Sequence, residues 1–253
     1  MSLPPALYPL VPKHEIKEVR HSTHCLRFNG LTSRVDCGNP VVFNPTTQSI
    51  SVECWIMFWA KGQHMGLIDK GTALGVAASF AYNLVYALGT GVRFDVSDGV
   101  NVSRAIIPDA SIPLFRWIHV LGTYDQTDLR SRIYLHGNHI DTAAAALVGN
   151  INVVADTLEV GGDTFAGRYS QAYITEARML NVLPSLQEIR STARRGYAKP
   201  IPGTVLNLRM KEGVSLTAFD TSGLGNDGTL LPALTPPIWT GVAEGELLAE
   251  AGV

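Results

Sequence analysis

The chain has 253 residues, 46% of them hydrophobic and 17% charged, a composition that supports a full core and excludes a disordered chain. Its net charge of −2 and pI near 6.4 give no basic footprint, which excludes nucleic acid as an electrostatic partner. No apolar run approaches a membrane span, and the first twenty residues lack the basic-then-apolar order of a secretory signal, so neither membrane insertion nor a leader is expected.

Residues 1–23 read as an extended arm. Prolines at 4, 5, 9 and 12 forbid helix and weaken sheet pairing, while Leu3, Leu7, Tyr8, Leu10 and Val11 make the segment apolar. Two readings stand: a tail resting on its own domain, or an arm docking on a neighbouring subunit. Residues 25–30 and 33–37 then read as a hairpin about Asn29-Gly30. A bridge between Cys25 and Cys37 across it stays open, and Cys54 reads as a core residue. In residues 50–60, Ile50, Val52, Cys54, Ile56 and Phe58 alternate with Ser51, Glu53, Trp55, Met57 and Trp59. Large apolar groups on both faces predict a central strand covered on both sides.

Short strands are expected at 65–69, 81–87 and 91–97, separated by glycines. The sequon Asn101-Val102-Ser103 reads as chance without a secretory signal. In residues 115–140, Trp117, His119, Leu121 and Thr123 alternate with Ile118, Val120 and Gly122, the period of a half-buried strand. A polar segment, a second apolar run and the turn at Gly137-Asn138 follow, predicting strand, loop, strand, tight turn, strand. Further strands are expected at 157–161, 171–180 and 204–210. Residues 184–195 form the one good helix: Pro184 suits its first turn, Leu186, Ile189 and Ala193 share a face, and Gly196 suits its end. Arg190, Arg194 and Arg195 lie where cations complement the macrodipole.

The run WIHVLGTYD at 117–125 followed by RIYLHGNHI at 132–140 resembles the signature of laminin-G-like, concanavalin A-like jelly-roll domains. Leu26-Arg27-Phe28-Asn29-Gly30, ISVECWIMFW at 50–59, Leu158–Gly162 with Phe165-Ala166-Gly167, and residues 174–180 match other family pieces in family order. The glycine-rich segment 220–228 resembles a loop often seen beside these domains. The resemblance implies an all-β fold: a two-sheet antiparallel β-sandwich with one short helix near 184–195. It spans residues 24–240, between the arm and an acidic tail at 241–253.

Enzymes of this fold set two carboxylates about the bond to be broken. Glu53 is the foremost candidate, with Glu159 and Glu176 on later strands. The paired-carboxylate strand motif of the related glucanases is absent, and Thr175 stands where the family pattern has Asp. No catalysis is expected, and His119 reads as a sheet residue rather than a base. Many relatives bind calcium through loop oxygens, which makes calcium the candidate cofactor and Asp125, Asp128, Asp220, Asn226 and Asp227 its candidate ligands. Turns shaped by these side chains without an ion are the competing reading. The expected function is a non-catalytic structural or adhesion component of a larger assembly, such as a virus or phage particle. Its partners would be protein subunits, its state a homo-oligomer, and its arm contacts Leu3, Leu7, Tyr8, Leu10 and Val11. The alternative is a lectin-like, glycan-binding module with Trp55, Trp59, Tyr82 or Tyr86 as stacking platforms where they face solvent. A glycoside hydrolase comes third.

Overall fold

The computed structural model describes residues 24–72, 76–164 and 167–241, and in them the period-2 runs become strands. Before the helix come β1 (His24–Arg27), β2 (Arg34–Asp36), β3 (Ile50–Phe58), β4 (Met65–Gly71), β5 (Phe80–Ala87), β6 (Gly91–Ser97), β7 (Val102–Pro108), β8 (Ile118–Asp125), β9 (Arg130–Leu135), β10 (Asn138–Thr142), β11 (Leu158–Val160) and β12 (Ala172–Leu180). The helix α1 (Leu186–Arg195) leads to β13 (Thr204–Leu208), β14 (Thr217–Ala218), β15 (Gly228–Leu231) and β16 (Ile238–Gly241). They form two antiparallel sheets. The first runs β10-β9-β8-β3-β12-β1-β16, with β13 also pairing β12; the second runs β14-β15-β2-β11-β4-β5-β6-β7. Among the described residues no helix is long and apolar enough to cross a membrane.

The central stretch folds as expected, into β8, β9 and β10. The expected hairpin at 25–37 does not form. β1 pairs β12 and β16 in the first sheet, whereas β2 pairs β11 and β15 in the second. Asn29 therefore turns the chain from one layer to the other, its Oδ1 accepting the N–H groups of Leu31, Thr32 and Ser33 at 2.8, 2.9 and 3.0 Å. The open Cys25–Cys37 bridge is not made: all three cysteines are buried thiols. Four strands lacked a readable pattern. In β7 the alternate positions Ser103, Ala105 and Ile107 are buried, but two of these are small, so the apolar contrast is weak. β14, β15 and β16 are only two to four residues long.

Between the layers lies the main core. β3 gives it Ile50, Val52, Cys54, Ile56 and Phe58; the second sheet answers with Tyr82, Leu84, Tyr86, Val92, Phe94 and Val96. The other face of β3 is also covered, as its sequence predicts, because the segment after β12 returns across the first sheet. Ser51 Oγ donates to the Val182 carbonyl at 2.8 Å, and Ile189 of α1 packs on Leu121 and Tyr134. A Cβ on Gly137 would lie 3.1 Å from the Arg190 Cα, so the helix passes close over the β9–β10 turn.

The helix boundaries follow local chemistry, with one shift. Ser185, not Pro184, sets the start: its hydroxyl accepts the Glu188 N–H at 3.2 Å, and the Glu188 carboxylate accepts the Ser185 N–H at 2.7 Å. Gly196 ends the helix in the left-handed region at φ 71°. Leu186, expected on the packed face, is 57% exposed, and Thr192 is buried instead. Replacing Ser185 by Ala is expected to lower stability by about 1 kcal/mol. Urea unfolding at neutral pH measures this, and a midpoint equal to that of the parent protein refutes the role assigned to the cap.

Candidate ligand-binding site

Sheet alternation sends one set of side chains to each outer face, and the two faces have different chemistry. On the first sheet, β3, β8 and β12 bring Glu53, His119 and Arg178 together beneath the segment that follows β12. Glu53 Oε2 and His119 Nε2 share a 2.8 Å hydrogen bond. Arg178 donates to Glu53 Oε1 and to the Lys199 carbonyl. All three side chains are at most 2% exposed. Burial pushes the Glu53 carboxyl up, but Arg178 and His119 together hold it below the ordinary carboxylate range. Glu176 lies at a bulge in β12, with φ 53°, where β1 gives way to β13 as the neighbouring strand. It accepts from the Ala198 N–H and Arg209, and burial raises its carboxyl.

A polar row crosses the second sheet, with Asp36, Glu159, Asp69, Asn83, Asp95 and Arg104 as successive cross-strand partners. Glu159 accepts from Arg34 at 2.8 Å and from the Thr164 N–H and hydroxyl at 2.7 and 2.6 Å. Asp95 is gripped by Arg93 and Arg104. The candidate carboxylates thus divide between opposite outer faces, Glu53 and Glu176 on one and Glu159 on the other. Each is committed to arginine.

Three of the four expected stacking aromatics are corrected by burial. Tyr82 is 0% and Tyr86 1% exposed; both point into the sandwich, and their hydroxyls donate to the Phe43 carbonyl and to Asp109 Oδ1. Trp55, 4% exposed, lies on the covered outer face against His119 and His136, with ring centroids 5.4 and 6.1 Å away. None presents a face to a ligand, because alternation puts an aromatic on a face without saying what covers that face. Among the described residues no three His, Cys, Asp or Glu side chains form a group that could hold a metal ion, and the calcium candidates are engaged in hydrogen bonds and ion pairs. Asp125 and Asp128 both pair with Arg132. Asp220 accepts from Asn207, Ser222 and Asn226, while Asp227 accepts the Asp220 N–H. Asn226 donates to the Val205 carbonyl. Leu3, Leu7, Tyr8, Leu10 and Val11 lie outside the described residues, as does the tail beyond Gly241.

Trp59 is different. It follows the end of β3 and remains half-buried at the wall of a cleft of about 440 Å³, with Arg27, Asn29, Leu234, Thr235, Pro236 and Ile238. Antiparallel pairing of β1 with β16 sets Arg27 opposite Ile238. A 3.1 Å hydrogen bond between the Thr32 and Thr235 hydroxyls ties the turn after β1 to the loop before β16. The indole N–H donates to the Phe28 carbonyl at 3.4 Å, and the ring packs on the Cys25, Met57 and Tyr173 cluster, so its orientation is held from behind. Arg27 lies 6.0 Å from the ring centroid and makes no ion pair among the described residues. Among the described residues it is the only charged side chain lining the cleft. The rim is apolar, with Leu234 96% and Ile238 60% exposed. An aromatic wall, an apolar rim and a donor fork suit a ligand with one apolar face and oxygen acceptors at its edge. Sequence reasoning found Trp59 but missed Arg27 and the 234–238 rim, for which the only signal was apolar residues beside Pro236-Pro237.

Residues 29–190, more than half of the chain, match the family described as the concanavalin A-like lectin/glucanases superfamily. No curated protein sequence matches the chain. Among solved structures, a candidate carbohydrate binding protein from Bacteroides ovatus is similar at 17% identity and a TM-score of 0.64, over 87% of this chain and 60% of that one. The chain therefore spans about three fifths of that protein's length. The CBM40 of Ruminococcus gnavus IT-sialidase is similar at 13% identity and a TM-score of 0.51, over 68% of this chain and 99% of that module. At these identities the likeness is one of fold.

Proposed function

The chain belongs to the concanavalin A-like lectin/glucanase superfamily, and from that premise we propose that it is a non-catalytic carbohydrate-binding module with its ligand seated in the Trp59 cleft. The observation that carries this reading is the half-buried indole beside a guanidinium that makes no ion pair among the described residues, in a cleft of about 440 Å³, within the usual range of small-ligand sites. A sugar ring has a face of C–H groups and an edge of hydroxyls. The indole and the rim withdraw the first from water, and Arg27 donates to the second. Because the described lining of the cleft offers no carboxylate to accept ligand hydroxyls, acceptor-rich sugars, such as those carrying a carboxylate or an acetamide, should bind best. Binding rather than hydrolysis fits the carboxylates, which are tied to arginine on opposite faces. The two structural relatives, described as a candidate carbohydrate binding protein and a CBM40, are of the same functional class.

Calorimetry on hits from a glycan array tests this. Trp59→Ala is expected to weaken binding at least 10-fold, Trp59→Phe to retain part of it, and Arg27→Gln to penalise carboxylated sugars more than neutral ones. Glycan affinity unaltered by both Trp59→Ala and Arg27→Gln would remove the assignment. Turnover of a bound oligosaccharide would overturn its non-catalytic part.

A further inference from the structure

The outward side of α1 forms a second polar feature, remote in chemistry from the Trp59 cleft. Gln187, Arg190, Ser191, Arg194 and Arg195 line one open hollow of about 500 Å³. Spacing explains the convergence: 187, 191 and 195 form one ridge of the helix, and 190 and 194 the next. Arg190 and Arg194 are exposed. None of the three arginines makes an ion pair among the described residues. The acidic residue of the helix, Glu188, is engaged with Ser185 in the capping box.

Positive charge continues past the helix end. The Tyr197 ring has Arg195 and Lys199 at 5.6 and 6.0 Å from its centroid, and Arg209, which is paired with Glu176, at 5.0 Å. Complementing the macrodipole does not account for this much charge. A helix C-terminus carries roughly half an elementary negative charge, against three guanidinium groups on the hollow alone. The Arg195 Nε is also buried without an acceptor among the described residues.

We infer that this hollow binds a tetrahedral oxyanion, as carried by a phosphate or sulfate ester. Guanidinium forks match such oxygens two at a time, and Gln187 and Ser191 add neutral donors. The site is independent of the Trp59 cleft.

The test is titration calorimetry at low ionic strength with inorganic phosphate, inorganic sulfate, glucose 6-phosphate and glucose 6-sulfate, with glucose as control. At least one ester is expected to bind saturably and glucose not at all, and the order of the two esters identifies the source of the oxyanion. The Arg190→Ala/Arg194→Ala double variant, altered only at exposed positions, should melt like the parent and bind at least 10-fold more weakly. The Trp59→Ala variant should bind the ester as the parent does, which separates this site from the sugar cleft. Ester binding no different from glucose, or retained by the double variant, would overturn the inference.

Discussion

Replacing Arg178 by Met should lower the unfolding free energy by about 3–5 kcal/mol at neutral pH, since it leaves Glu53 charged and sealed without its cation. The side chain lies beneath the outer cover of the first sheet, 2% exposed and paired with Glu53, which also shares a hydrogen bond with His119. The sign of the pH dependence follows from Glu53. Its folded carboxyl is held below the ordinary value of 4.5, so the protein binds fewer protons folded than unfolded in that range. The stability this contributes is present above pH 4.5 and is lost as pH falls through the folded value. In Arg178→Met the charged carboxylate loses its main support, so acid should relieve the variant while it harms the parent. The deficit should therefore narrow from pH 7 towards pH 4. Urea unfolding at both pH values measures it. A deficit under 1 kcal/mol at pH 7, or one equal at the two pH values, is incompatible with a buried charge network. Converting Glu53 to Met as well should recover part of the loss, because no buried carboxylate is then left unpaired.

The second large effect is steric. Gly122 lies in β8 directly beneath Phe94 of β6, and a Cβ added there would sit 2.2 Å from the Phe94 ring. Both residues are in the interior, and their strands belong to opposite sheets, so the ring has no open side to turn towards. Gly122→Val is expected to destabilise by about 3 kcal/mol, near the upper end for overpacking. Phe94→Ala alone should cost about 3–5 kcal/mol through the cavity it leaves. In the double variant the valine occupies space the ring vacates, so the combined loss should fall short of the sum by about 1 kcal/mol or more. Strict additivity in thermal or urea unfolding would show that the two residues do not share one space.

Much of this was legible residue by residue. Alternation in 50–60 and 117–124 assigns Ile50, Val52, Cys54, Ile56, Phe58, Ile118, Val120 and Tyr124 to one side of their strands, and all of them enter the core. The turn at Gly137 and the glycine end of α1 were readable because each needs a positive φ that glycine takes without strain. What failed was telling covered positions from open ones along a single face. Trp55 and Trp59 share a face in the alternation of residues 50–60, yet Trp55 lies against His119 and His136 under the cover and Trp59, just past the end of β3, borders an open cleft.

The sequence by itself therefore determined the periods of the longer strands and the glycine end of the helix, since backbone geometry and short-range hydrogen bonds act between neighbours in the chain; the jelly-roll class was legible through the family resemblance of its motifs. Only the tertiary structure decided the Trp59 cleft and the buried triad. Arg27, Trp59 and Ile238 meet because β1 pairs β16 and the end of β3 passes nearby; Glu53, His119 and Arg178 meet because β3 lies between β8 and β12. Strand order is settled by which faces bury together across the whole chain, and no local period encodes it.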